Sequence, residues 1–427
     1  MAALLVLAAP GFGLAIEVGV ARIDISPQTP IRLSGFGGRR TESEGIAQRL
    51  WAKAVALGNN AEGPALLMTV DNCGISGAIA DEVAERLQRA VGIPRERVVI
   101  CSTHTHSGPC LTGVLPNLFS RDIVPEQQAT IDRYTRDLID RLEQVARAAL
   151  ADRRPGKLEW SQGSVDFARN RRTPGGPVDH ALPVLKISAP DGALRGLVAN
   201  YACHCTTLGG DFNQAHGDWA GCAQEYLERD HPGAVALITI GCGGDSNPQP
   251  RNTMALARQH GEEVATEVKR LLGLTFVPLE SKLVCATKRI ELPFQTHFTR
   301  AEWEQRATRD GIVGYHAKKN LARLDRGEQL PTHLPYFVQS WNFGRDLAMV
   351  FLAGEVVIDY TLRLKTTFDP ARLWVSGYAN GVPCYIPSQR VLREGGYEAE
   401  DSLWYYDRPA RLAPESEDRI EIGRAHV

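Results

Sequence analysis

Apolar residues along this 427-residue chain repeat in two rhythms, one of period two or unbroken over four to eight positions, the other of period three to four over longer spans. Val18–Ile25 alternates like an edge strand and stops at Ser26-Pro-Gln-Thr-Pro30. Ala65–Val70 reads as a strong strand, apolar but for Thr69, closed by Asp71-Asn72. Residues 78–91 have helical periodicity, and Val98–Cys101 returns as a buried strand. Such a strand–helix–strand unit predicts parallel pairing with a crossover helix. A long amphipathic helix is expected over 126–151, with Ile131, Tyr134, Leu138, Leu142 and Val145 on one face. Strands are predicted over 157–167, 182–187, 197–203 and 235–240, and helices over 219–229 and 254–272. After Phe276 long strands over 282–292, 336–343 and 347–352 mix with short helices. The expected fold class is α/β: a mixed, largely parallel central sheet with flanking helices and an extended C-terminal α+β lobe.

Composition changes this picture little. Hydrophobic content of 43% and charged content of 23% suit a soluble globular chain, and no linker or compositional break divides it, so 16–420 is expected to form one domain. A formal net charge of −2 gives no electrostatic case for nucleic acid or for an anionic membrane surface; no nucleic-acid partner is expected, while peripheral membrane contact and oligomeric state are left open. Nine cysteines form no CxxC pair, which excludes a zinc ribbon and a disulfide framework. Residues 1–15 resemble the apolar and cleavage-site parts of a signal peptide without its positive start. A secreted or periplasmic protein is therefore expected, although the odd cysteine count points the other way. Residues 421–427 read as a non-native tail, so His426 is set aside.

Four predicted strand ends carry reactive side chains. The first is Cys101-Ser-Thr-His104-Thr-His106-Ser-Gly-Pro109, where side chains two apart on an extended backbone would point the same way. The second is Asn200-Tyr-Ala-Cys-His204-Cys-Thr206. The third, Gly241-Cys-Gly-Gly-Asp245-Ser246-Asn-Pro248, reads as a loop of exposed backbone amides bearing a carboxylate and a hydroxyl. The fourth is Ala353-Gly354-Glu355, a glutamate opening a helix. Each has a plain structural reading: a hydrogen-bonded histidine, a turn, a favourable helix N-terminus. Together they fit a catalytic zinc site of two imidazoles and a carboxylate with one position open for water. The glycine-rich Gly35-Phe-Gly-Gly-Arg39 lacks a following helix pattern and reads as a plain turn.

Thr103-His-Thr-His-Ser-Gly-Pro109 resembles the signature of the neutral (non-lysosomal) ceramidase family, zinc amidases that cleave the N-acyl bond of ceramide. The resemblance continues through Val20–Ile25, Asn170-Arg171, Asn200–Thr206, Ala353-Gly354-Glu355 and Tyr385–Tyr397. It implies Zn2+ held by His104, His204, Glu355 and Tyr385. It also implies that His106, Arg171 and Tyr397 hold the substrate and stabilise the oxyanion. The implied substrate is ceramide or another N-acyl lipid. Two segments depart from the family pattern. Gly244-Asp-Ser-Asn-Pro248 stands where members read Gly-Asp-x-Ser-Pro-Asn, which bears on Ser246 as a substrate-contacting or nucleophilic serine, and Gly381–Pro387 around Tyr385 also differs. The family's C-terminal immunoglobulin-like domain is missing, so a C-terminally truncated chain is expected. The alternatives are a serine hydrolase using Ser246, for which no Gly-x-Ser-x-Gly elbow is present, and a family member that binds lipid or glycan without catalysis. A TIM-barrel metal hydrolase would need repeated strand–helix units that the chain after Phe276 does not supply.

Overall fold

The computed structural model describes residues 16–425; the signal-peptide expectation on 1–15 and the last two residues of the expected tail lie outside them. The chain opens with three antiparallel strands, β1 (Ile16–Asp24), β2 (Trp51–Leu57) and β3 (Ala65–Val70). Helix α1 (Gly77–Val91) follows, its start capped by the Ser76 hydroxyl accepting from the Ile79 amide and its end set by Gly92 in the left-handed region. It leads to β4 (Val98–Ser102), parallel to β3. Helix α2 (Pro125–Ala151) then carries the chain across the sheet to β5 (Arg154–Ser164), which lies antiparallel beside β1.

After the short β6 (Ala168–Asn170), strands β7 (Ala181–Ser188) and β8 (Leu194–Tyr201) extend the sheet, and α3 (Asp218–Asp230) crosses to β9 (Val235–Ile240), parallel to β8. The order is β4-β3-β2-β1-β5-β7-β8-β9. The mixed sheet with flanking helices is as the sequence predicts, but its parallel majority is not. Only the two edge pairs are parallel; every pairing between them is antiparallel. The local strand–helix–strand signal was sound for β3-α1-β4 and β8-α3-β9, whereas α2 links strands that do not become neighbours. The sheet curls until the edge strands β4 and β9 approach one another, which brings the carboxyl ends of both crossover units together.

The short β10 (Ser246–Pro248) pairs with β6, α4 (Met254–Leu272) packs on α3, and β11 (Val277–Pro278) adds to β5. A second sheet runs β12 (Leu283–Pro293), then after α5 (Arg300–Ala307) and α6 (Gly311–Asp325) continues as β13 (His333–Phe343) and β14 (Leu347–Leu352). The chain proceeds through β15 (Glu355–Val356), α7 (Asp359–Thr367), β16 (Leu373–Ser376) parallel to β14, β17 (Tyr385–Ile386), α8 (Gln389–Glu394) and α9 (Glu415–Ala425).

The second sheet stacks on the first. On β14, Leu347, Met349 and Phe351 enter the cluster between the sheets with Val55, Leu67, Leu185 and Leu237, while Val350 and Leu352 face the opposite way. This two-sided burial explains the nearly unbroken apolar sequence of β14. Among the described residues no helix is long and apolar enough to cross a membrane.

Candidate metal centre

The loop after β4 is pinned by backbone bonds from Ser102 N to Tyr378 O (3.1 Å) and from Thr103 N to Val70 O (2.9 Å). His104 then takes φ 58°, in the left-handed region. The two histidines therefore do not meet by alternation on an extended strand, as their spacing suggested. A turn at His104 brings its Nε2 to 3.1 Å from Nε2 of His106. A non-glycine residue held in this region is strained, and such strain persists where the surroundings over-determine it. Thr105 makes a parallel bridge with Cys205, which ties the His104 and His204 loops side by side.

Both rings are oriented by backbone. His104 Nδ1 donates to Cys73 O (2.5 Å), and His204 Nδ1 donates to Gly243 O (2.7 Å). This fixes the tautomer and leaves each Nε2 lone pair facing inward. Glu355 does not open a helix; it forms the two-residue β15, paired in parallel register with Tyr385 of β17. Its Oε2 lies 3.0 Å from Nε2 of His104 and 3.0 Å from Nε2 of His204. The Tyr385 hydroxyl is 3.2 Å from His204 Nε2, and Tyr406 donates its hydroxyl to Glu355 Oε1.

With both Nδ1 protons committed, the two imidazole nitrogens and the carboxylate oxygen facing one another are all lone-pair donors. Such a convergence calls for a cation. A tetrahedral ion with bonds of about 2.0–2.2 Å spaces its ligands about 3.3–3.6 Å apart, a few tenths of an ångström wider than the separations of 3.0 and 3.2 Å here. The donor set fits a divalent transition metal. A second grouping of Cys73, His104 and His106 also lies within reach of one ion. It fits less well, because the Nδ1 nearest the Cys73 thiol already donates to the Cys73 carbonyl.

Burial disfavours charge on every member. For His104 the Glu355 carboxylate outweighs that penalty, and the imidazole is pushed up to about 10. His204 is lowered to about 4 by burial and then by Arg171. His106 falls well below its ordinary range through burial and its two imidazole neighbours. Glu355 is held well below the carboxylate range by His104 and His204, against the pull of desolvation. Without an ion, a proton on His104 balances Glu355; a cation at the centre would take that proton's place and free the Nε2 lone pair.

Arg171 reaches the same point from β6. Its Nη2 donates to the Tyr385 hydroxyl (3.0 Å), and its guanidinium lies 5.4 Å from the ring centroids of both Tyr385 and Tyr397. Tyr397 is 44% exposed, at the lip of a cavity of about 220 Å³ that His106, Glu355, Tyr385, Phe36, Leu115 and Leu118 line. The glycine-rich loop read as a plain turn is a wall of this cavity. Gly35 has φ +89°, and a Cβ there would fall 2.4 Å from the His106 ring.

The loop from Gly241 to Ser246 is buried, not a display of exposed amides. Gly244 N donates to Val356 O, Ser246 N donates to Gly243 O, and a Cβ on Gly244 would fall 2.6 Å from the Glu355 carbonyl. Asp245 accepts from Ile358 N and Asn170 Nδ2, and burial raises it to about 6. Ser246 lends its carbonyl to His204 N, but its buried hydroxyl has no hydrogen-bond partner, so no base is positioned on it. Four contributors escaped the sequence reading: Cys73 and Gly243 through their carbonyls, Tyr406, and Tyr378 beneath the His104 ring. Isolated aromatics and backbone acceptors leave no local pattern.

Residues 16–248 match the family model described as neutral/alkaline non-lysosomal ceramidase, N-terminal. Over 256 residues the chain is 25% identical to a neutral ceramidase of Pseudomonas aeruginosa, an alignment covering 55% of this chain and 37% of that relative. The chain thus matches well under half the length of that curated relative. The fold is similar to the crystal structure of neutral ceramidase from Pseudomonas aeruginosa, with TM-score 0.75 and 17% identity, covering 96% of this chain and 73% of that one. It is also similar to a structure described as ceramidase complexed with C2, with TM-score 0.73 and 16% identity, covering 97% and 75%.

Proposed function

Because the chain belongs to the neutral/alkaline non-lysosomal ceramidase family, we propose that it is a zinc-dependent amidohydrolase that cleaves the N-acyl bond of ceramide or a similar N-acyl lipid into a fatty acid and an amine. One observation carries the reading: a single carboxylate oxygen of Glu355 stands 3.0 Å from the inward nitrogens of both His104 and His204. Tyr385 completes the set of residues that would hold the ion.

Zinc held there would supply a Lewis acid for the amide oxygen and a water whose pKa falls to about 7. The remaining parts belong to the chain. Arg171 aims N–H groups at the Tyr385 hydroxyl beside the cavity, where the amide oxygen gains charge. His106, half-buried and kept neutral, stands on the cavity wall to exchange a proton with the leaving amine. Tyr397 at the lip contacts the substrate over Arg171. Phe36, Leu115 and Leu118 give an aliphatic chain an apolar wall.

The deciding experiment pairs metal analysis of purified protein with release of fatty acid from a short-chain N-acylsphingosine. A chelator should stop turnover and zinc should restore it. Undiminished turnover by protein stripped of metal would reject the metal mechanism. A zinc-loaded protein that binds the lipid without cleaving it would leave the binding-only reading.

A further inference from the structure

Arg171 is held from behind by a buried carboxylate to which nothing above assigns a role. Glu398 is 3% exposed and follows Tyr397 directly. Its Oε1 accepts from Arg171 Nε at 2.7 Å, and its Oε2 accepts from Arg172 Nη1. Two consecutive arginines reach one carboxylate because the chain bends between them and β6: the Asn170 side-chain oxygen accepts from Arg172 N (2.9 Å) and Thr173 N (3.0 Å). Arg172 is anchored further by Gly395 O (2.9 Å) and Glu394 (3.2 Å).

The guanidinium fork has a fixed shape. With Nε committed to Glu398, the two terminal Nη groups of the fork are turned toward Tyr385 and Asn247, where Nη2 meets the phenol at 3.0 Å and Nη1 lies 3.5 Å from Asn247 Oδ1.

We propose that Glu398 is a positioning residue for the hydrolase: it selects which N–H edge of Arg171 is presented to Tyr385 and the scissile amide. The proposal rests on the hydrolase reading above. It differs from a merely structural role in that all of its effect passes through Arg171.

The test uses Glu398→Gln, Arg171→Ala and the double variant on the whole chain, each assayed for bound metal, kcat and KM, together with a crystal structure of Glu398→Gln. The expectation is a fall in kcat of about 10- to 100-fold, the range for residues that orient ligating or catalytic groups, with metal content unchanged. In the Arg171→Ala background the same change should lower kcat no further, and in the crystal the Arg171 fork should have left the Tyr385 hydroxyl. Glu398→Asp, which keeps the charge on a shorter arm, should recover part of the loss; it carries the same cycle if the glutamine variant does not fold. Full activity of Glu398→Gln, or losses that multiply in the double variant, would overturn the proposal. If the wild-type protein cleaves no N-acyl amide, the hydrolase reading fails instead, and the position of Arg171 in the variant crystal still decides whether Glu398 sets it.

Discussion

The ring of Tyr378 lies against the imidazole of His104, centroids 4.3 Å apart and planes inclined by 33°. The same residue joins three strand ends through its backbone neighbourhood. Tyr378 N donates to Gly354 O, its carbonyl accepts from Ser102 N, and Gly377 N donates to Ile240 O. It is held at φ 52°, and its buried hydroxyl has no hydrogen-bond partner.

Removing that ring separates packing from chemistry. Tyr378→Ala should cost about 3–5 kcal/mol of stability, as for other large aromatic deletions, and weaken metal affinity by about 10- to 100-fold through loss of His104 orientation. Tyr378→Phe should leave both unchanged or slightly improved, because the phenol it removes is unpaired. Urea denaturation and competitive metal titration would distinguish the two; a phenylalanine variant as damaged as the alanine one would give the hydroxyl a role in the site.

Glu355→Gln and His204→Ala each remove one inward donor. Both should lose bound metal and more than about 100-fold of amidase activity, a larger loss than for the residues that only orient ligands. Elemental analysis beside the activity assay checks this. In the same protein a fluorophosphonate probe should leave Ser246 unlabelled, since no base contacts its hydroxyl; labelling of Ser246 would favour the serine-hydrolase alternative.

Gly35→Ala should strike the reaction and spare the metal. The added methyl would meet the His106 ring at a position that also requires positive φ, so the ring must shift. Displacements of about 1 Å in catalytic geometry lower turnover by about 10²-fold. A variant with normal metal content and reduced kcat is expected, and an unaltered kcat would remove His106 from the machinery.

Away from the site, His316 sits fully buried between Trp303 and Trp404, with Asn320 donating to its Nε2. Burial lowers it from 6.5 to about 4, with nearby Asp407 opposing. A histidine depressed in the folded state contributes stability that is present above pH 6.5 and is lost as pH falls toward 4. Over that window the loss is about 3 kcal/mol at about 1.4 kcal/mol per pH unit. Urea midpoints against pH for the wild type and His316→Leu should converge as pH falls, with the variant less stable at pH 8 and flatter through the window.

How much of this was legible beforehand follows from what each residue depends on. His104, His106 and His204 stand at the ends of apolar runs, and Glu355 follows a strand broken by glycine, so local pattern exposed all four. The antiparallel middle of the sheet was hidden because pairing of β1 with β5 depends on where a 27-residue helix delivers the chain, not on either strand's own sequence. Tyr378, Tyr406 and Glu398 act on partners that are between 51 and 274 positions away. Single side chains of that kind carry no periodicity, and only the closed fold reveals them.

The two-residue ladder that sets Glu355 opposite Tyr385 separates the ligands from the chain between them. Between them Ile358 N is bonded to Asp245, Leu373–Ser376 pairs with β14 and Gly381 O accepts from Gly354 N, so changes of length fall on the exposed turn over 366–372. That turn can vary in length while both donors keep their places opposite one another.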